Sequence, residues 1–248
     1  IGRFRSTVAS KIKSFDDRRR FWDRFLDGPF KVAIEKRDEA WAFEELNLAL
    51  DSEKNHKPGL VYIVGAGPGD AELLTIKALN IIGKADVIVY DRLVSNEVLD
   101  KARRDAKVIC VGKGIDYISW TQKAINNLLL EEARAGKIVV RLKGGDPYLF
   151  SRGGEETKYL IDNGVATSVV PGITAALGCG ASAGIPMTHR DFAGAVTFVA
   201  AHRAEGRQKV DWGALAALKG TIVFYMGVGV AKEISINLQS EGISPNLP

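Results

Sequence analysis

Four stretches of this 248-residue chain carry residue types that do chemistry or let a ligand approach the main chain. They are Gly65-Ala66-Gly67-Pro68-Gly69-Asp70, the lone Asp91, Gly112-Lys113-Gly114, and Lys143-Gly144-Gly145-Asp146-Pro147. Each follows a short apolar run rich in β-branched residues, at 60–64, 87–90, 108–111 and 138–142. In an open parallel sheet, ligands bind beyond the carboxyl ends of the strands, so these are the places to look for a site. Glycines in the first loop permit tight turns and close backbone approach. A dinucleotide fingerprint would need glycine at position 70, where Asp70 stands, and Pro68 fixes φ and removes a donor. In the fourth stretch Asp146 suits the hydroxyls or amine of a cationic, ribose-containing ligand and would repel a phosphate. Together the loops suit an adenosyl cofactor lacking phosphates.

The charged residues each allow two readings. Asp91 either caps the helix that follows or accepts a proton. Lys113, between glycines, is either a solvated loop lysine or a cationic, proton-donating partner for an anionic substrate. Arg141, Lys143 and Arg152 either receive substrate carboxylates or lie on a solvated face.

The elements that must position these residues follow from periodicity. From Leu60 onward, β-rich runs, including a fifth at 167–170, alternate with helical patterns, which predicts an α/β fold with a largely parallel sheet. The first intervening helix places Leu74, Ala78, Ile81 and Ile82 on one face and ends at Gly83. Pro171-Gly172 breaks the series. A Gly/Ala-rich helix from about Thr174, strands at 196–200 and 221–226 and a helix at about 230–240 follow, as in a second, unfinished domain.

Residues 1–56 carry no strand signal. Two helical patterns flank Asp27-Gly28-Pro29, the second from about Asp38 to Leu50, and their aromatic stripe, including Trp41 and Phe43, is expected to need another surface to cover it. Lys54-Asn55-His56-Lys57-Pro58-Gly59 reads as a linker, and the initial Ile implies that something upstream was removed. The clustered Arg18-Arg19-Arg20 lies beside Phe21, Trp22 and Phe25 at helical spacing, so an amphipathic helix is preferred to a nucleic-acid patch. With 46% hydrophobic residues and a net charge of +4, composition is that of an ordinary globular chain. No apolar run reaches the roughly 18 residues of a membrane helix, and no export signal is evident. Cys110 and Cys179 sit in apolar segments without metal-ligand spacing and are expected to be buried thiols in a reducing cytoplasm. No metal is expected.

The motifs Val64-Gly65-Ala66-Gly67-Pro68-Gly69-Asp70, Tyr90-Asp91-Arg92-Leu93-Val94, Val111-Gly112-Lys113, Val140-Arg141-Leu142-Lys143-Gly144-Gly145-Asp146-Pro147, Arg152-Gly153-Gly154-Glu155-Glu156, Val170-Pro171-Gly172-Ile173-Thr174-Ala175 and Gly184-Ile185-Pro186-Met187-Thr188-His189-Arg190 run in one order across most of residues 59–226. This set resembles the tetrapyrrole methylase family, and within it the uroporphyrinogen-III C-methyltransferases that form part of sirohaem synthases. The resemblance implies a helical dimerisation segment at 1–56 and two α/β domains, 57–170 and 171–248, with the cofactor in the cleft between them. The family pattern continues past the last residue here, so the second domain is expected to be incomplete.

By that pattern Pro68, Gly144, Gly145, Asp146, Leu149, Thr174, Ala175 and Met226 would contact S-adenosyl-L-methionine, which leaves as S-adenosyl-L-homocysteine. Asp91 would be the proton acceptor and Lys113 the proton donor. The implied reaction is methylation of uroporphyrinogen III to precorrin-2 through precorrin-1, in sirohaem and cobalamin synthesis, by a cytoplasmic homodimer. A same-fold methylase with another substrate, and an inactive dimeric cofactor-binding fragment, remain as alternatives. Gly114, Thr121, Ser151 and Ala200-Ala201-His202 depart from the family pattern.

Overall fold

A computed structural model describes residues 2–26, 29–52, 59–112, 120–201 and 210–246. The chain forms two compact units, Ile1–Lys57 and Pro58–Pro248.

The first unit is helical, with α1 (Arg5–Lys11), α2 (Phe15–Phe25), α3 (Pro29–Glu35) and α4 (Glu39–Ser52). Ser14 caps α2 by accepting from the Asp17 N–H, and Pro29 opens α3, where a missing N–H costs nothing. Asp38 stands just outside α4 and accepts from the Trp41 N–H at 3.0 Å. Four helices thus replace the two patterns expected, and with them comes an internal core. Phe4, Val8, Phe21, Phe30, Ala33, Ala42, Leu46 and Leu50 are buried together, and the Phe25 and Phe30 rings lie 4.4 Å apart. Most of the aromatic stripe is therefore covered within the unit, whereas Phe15 and Phe43 stay exposed. Asp27 and Gly28 of the expected turn, and residues 54–58 of the expected linker, lie outside the described residues.

The second unit holds a parallel sheet of order β3-β2-β4-β1-β5, formed by β1 (Leu60–Gly65), β2 (Val87–Tyr90), β3 (Lys107–Cys110), β4 (Ile138–Lys143) and β5 (Ala166–Val170). Helices cover both faces, as an all-parallel sheet requires. On one face, α7 (Gln122–Arg134) and α8 (Gly153–Asp162) bring Leu129 and Leu160 onto Val61, Ile63 and Val139. On the other, α5 (Ile76–Ile82) and α6 (Asn96–Leu99) bring Ala78, Ile82 and Val98 onto Val64, Ile88, Val140 and Leu142. Helix α5 ends at Gly83, as its sequence predicts, but its cap is Thr75, so Leu74, expected on the helix face, stands just before it. Strand alternation sends Val139, Arg141 and Lys143 of β4 toward α7 and α8.

After β5, α9 (Ala175–Ala183) leads to a parallel pair, β6 (Val196–Ala200) and β7 (Thr221–Tyr225), with α10 (Trp212–Ala217) between them and α11 (Ala231–Ser240) after. Both cysteines depart from expectation: Cys110 is only partly buried and Cys179 is exposed. Helix α9 buries Ala176, Gly178 and Gly180, with Gly178 against Pro68 and Gly180 against Met187, whereas Cys179 lines the open cleft beside Pro68. Among the described residues no helix is long and apolar enough to cross a membrane.

Candidate functional site

The loops after β1, β4 and β5 meet at their glycines. A Cβ on Gly65 would stand 2.6 Å from both the Gly145 carbonyl oxygen and the Gly172 Cα, so only bare main chain fits there. Gly67 and Gly145 form an antiparallel bridge, with Gly145 N–H donating to Gly67 O at 2.7 Å and Gly67 N–H to Gly145 O at 3.2 Å. Both glycines have positive φ, +73° and +67°, which side chains rarely adopt. Asp146 ties the knot: one oxygen accepts from the Tyr148 N–H at 2.8 Å, the other from the Gly172 N–H at 3.1 Å. Asp70 has a local role too, accepting from the Glu72 N–H at 2.8 Å to cap the short turn Ala71–Leu73.

The knot gathers most of the residues singled out from sequence. Gly144, Gly145, Asp146 and Leu149 share one loop, and Thr174 and Ala175 pass it closely, within 3.8 and 3.9 Å of a Cβ placed on Gly145. Pro68 packs on α9 at Gly178 and borders an open cleft of about 390 Å³ with Asp70, Leu73, Cys179, Ser182 and Ala183. From β7, the Tyr225 hydroxyl lies 2.6 Å from Thr174 Oγ1 and accepts from the Ala176 N–H at 3.2 Å. Met226 follows in the left-handed conformation, φ 57°, with its side chain exposed. Tyr225 thus joins the β7 end to the start of α9, a role nothing in its sequence context indicated. Lys113 lies outside the described residues.

A ring of charge adjoins the knot at the end of β2. Arg141 Nη2 donates to Asp91 Oδ1 at 2.6 Å, and its Nε donates to Glu156 Oε1 at 3.1 Å. Lys143 Nζ lies 3.5 Å from Asp91 Oδ2 and 3.3 Å from each Glu156 oxygen. Gln122 of α7 donates to Glu156 Oε1 at 3.0 Å. Side-chain exposure is 2% for Arg141, 3% for Lys143 and 0% for Glu156, against 30% for Asp91. Burial pulls the Lys143 ammonium below its usual range and neighbouring Arg141 adds to this, opposed by Glu156 and Asp91.

Arg141 and Lys143 therefore do not lie on a solvated face, one of the two roles read for them. They lie under α8, where a buried cation requires a counter-charge. Glu156 supplies it. Alternation along the strand indicates that the two cations share one face, but not which element covers it. Asp91 does not cap the next helix, whose N-cap position is Ser95; its carboxylate faces the two cations. Arg152 is the exposed member of the three and pairs with Glu155 through three hydrogen bonds, the shortest 2.6 Å, which push its guanidinium further up. Of the departures from the family pattern, Thr121 caps α7 by accepting from the Ala124 N–H, and Ser151 Oγ donates to the Pro147 carbonyl.

Fold and site together define a class: an α/β protein that presents glycine loops and one half-exposed carboxylate at the carboxyl edge of a parallel sheet, built to receive a small organic ligand. Comparison with known proteins narrows it. Residues 60–247 match the family described as Tetrapyrrole (Corrin/Porphyrin) Methylases, and this chain belongs to that family. Residues 1–50 match the sirohaem synthase dimerisation region. The chain is 47% identical over 247 residues to a siroheme synthase of Actinobacillus succinogenes and 49% identical over 248 residues to siroheme synthase 1 of Yersinia enterocolitica, covering 100% of this chain and 52% of each relative. It thus spans about half the length of the curated relatives it matches. Among solved structures, a uroporphyrin-III C-methyl transferase from Thermus thermophilus complexed with S-adenyl homocysteine is 43% identical, with a TM-score of 0.64 over 75% of this chain and 74% of that one. Its native form is similar at 44% identity and the same TM-score, over 75% and 79% of the two chains.

Proposed function

We propose that the chain transfers methyl groups from S-adenosyl-L-methionine to ring carbons of uroporphyrinogen III, giving precorrin-2 through precorrin-1 and releasing S-adenosyl-L-homocysteine. The observation that carries this reading is the convergence, at one sheet edge, of the glycine knot and Asp91. The residues present fit the cofactor. Bare main chain at Gly144 and Gly145, with Asp146, Thr174 and the small Ala175 beside it, suits hydroxyls, an amine and an adenine ring, while Pro68, Leu149 and Met226 offer apolar surface. A phosphate would face Asp146 instead. When bound, S-adenosyl-L-methionine supplies an electrophilic methyl group.

The chain's own part is alignment and proton handling. Asp91 is the half-exposed carboxylate at the strand edge and takes the proton released as the methylated ring rearranges. Lys113 is assigned the proton-donating role. Holding donor and acceptor in line supplies most of the acceleration such a transfer needs, since no covalent nucleophile takes part. The proposed organisation is a dimerising segment at 1–56 and methylase domains at 57–170 and 171–248, in a cytoplasmic homodimer acting in sirohaem and cobalamin synthesis.

Anaerobic incubation of the chain with S-adenosylmethionine and uroporphyrinogen III is expected to give a dimethylated product, and Asp91→Ala to lower its rate by roughly 100-fold or more. Absence of S-adenosylmethionine binding by calorimetry would sink the reading. Binding with turnover only on another tetrapyrrole would move the substrate. Light scattering tests the dimer.

A further inference from the structure

The proposed role of Asp91 leaves its buried neighbours unexplained, and resting on that reading, the geometry points to Lys143 and Glu156 as positioning residues that hold Asp91 ready to take a proton. The four groups form a closed ring: Asp91 Oδ1 to Arg141, Arg141 to Glu156, Glu156 to Lys143, and Lys143 back to Asp91 Oδ2. Each oxygen of Asp91 is thus anchored by a different cation, which fixes the rotation of its carboxylate while the side chain stays 30% exposed. Each cation divides itself between the same two carboxylates. The ring sums to zero charge, and Asp91 alone is open to solvent, so a proton can enter or leave only there.

A packing role alone would not need this arrangement. Replacing such a group by apolar residues of similar volume is often neutral or stabilising, so burying four charges calls for another reason. Glu156 Oε2 is fully buried and makes no hydrogen bond among the described residues; Lys143, 3.3 Å away, answers its charge. Glu156 therefore competes with Asp91 for Lys143 and for Arg141. Weaken that competition and more positive charge bears on Asp91; remove Lys143 and less does. The charges acting on Lys143 are those of Arg141 on its own strand, Glu156 on α8 and Asp91 at the end of β2.

The two changes must act in opposite directions. Carbon-13 NMR of the Asp91 carboxyl in the free, full chain reads this without any turnover. Lys143→Met is expected to move the Asp91 titration up by roughly one pH unit, and Glu156→Gln to move it down by about as much. Lys143→Arg should return it toward the parent. In turnover, the acid limb of kcat/KM should move with each titration, and Lys143→Met should lower kcat roughly tenfold with KM for S-adenosylmethionine changed by about twofold or less. Glu156→Gln is isosteric, so it carries the test alone if circular dichroism shows that Lys143→Met does not fold. Titrations that stay at the parent's value, or that move the same way in both variants, overturn the proposal. A parent chain that never methylates uroporphyrinogen III overturns the functional reading instead, and leaves the NMR comparison standing.

Discussion

Gly172→Ala tests the glycine knot most directly. The new Cβ would stand 2.2 Å from the Gly145 carbonyl oxygen and 2.8 Å from the Gly65 Cα. Carbon to carbonyl-oxygen contacts rarely fall below about 3.3 Å, so the backbones must separate by about 1 Å. No rotamer change can absorb this, because every atom it meets is main chain. Gly145 is held by its two bonds to Gly67, and Gly65 lies in register with Lys143 of β4. Overpacking of this kind costs about 1–3 kcal/mol, and losing the 3.1 Å bond from Gly172 N–H to Asp146 adds about 1 more. For a unit of this size each kcal/mol lowers the melting temperature by about 2–4 °C, so a fall of roughly 5–15 °C is expected. S-adenosylhomocysteine affinity, measured by calorimetry below the new melting point, should fall as well. Gly154→Ala is the matched control: it lies in the first turn of α8 with nothing within 4 Å of the added methyl, and should gain about 0.4–1 kcal/mol. A Gly172→Ala chain that melts within about 1 °C of the parent would refute the geometry.

Other outcomes follow from single bonds. Tyr225→Phe leaves Thr174 and Ala176 without their shared partner and should weaken S-adenosylhomocysteine binding roughly 3–10-fold, read by calorimetry; unchanged affinity would remove Tyr225 from the site. Asp146→Asn keeps one acceptor oxygen for two N–H donors and should lose about 1–3 kcal/mol, visible as a lower urea midpoint. Burial pushes the Glu132 carboxyl up, but hydrogen bonds and charge from Lys107 and Lys137 outweigh it and leave it below the usual range. Its contribution to stability is therefore present above the unfolded-state value and is lost as pH falls through the lower folded-state value. Urea midpoints of the parent and Glu132→Gln should differ at neutral pH and converge in acid, and a gap that widens on acidification would contradict this.

Much of the site was legible because its signals are local. Glycine, proline and aspartate after β-rich runs mark strand-end loops whatever surrounds them, so the carboxyl edge of the sheet was found from spacing alone. Lys113 was read the same way and lies outside the described residues. The charged ring was not legible. Arg141 and Lys143 were read as facing ligand or solvent because alternation says that they share a face, not what covers it. The cover is α8, whose Glu156 arrives 15 residues after Arg141. Tyr225, 51 residues from Thr174, left no local trace at all. Cys179 was misjudged for the same reason, since an apolar neighbourhood in sequence does not say which side of a Gly/Ala helix is packed. In the first unit, helical periodicity was read correctly as helical, but the count of helices decided whether the aromatics had a core of their own.

By itself the sequence determined the alternation of strands and helices from Leu60 onward, the loops that would face a ligand, and a resemblance strong enough to suggest the cofactor. These depend on backbone preferences and patterns within a few residues. Only the tertiary structure decided that Asp91 shares two buried cations with Glu156, that Asp146 spends both oxygens on main-chain N–H groups, and that three glycines from three strands meet without room for a methyl. Those outcomes depend on which distant segments come to lie within about 3 Å of one another, a distance at which hydrogen bonds and steric exclusion act and which local sequence does not encode.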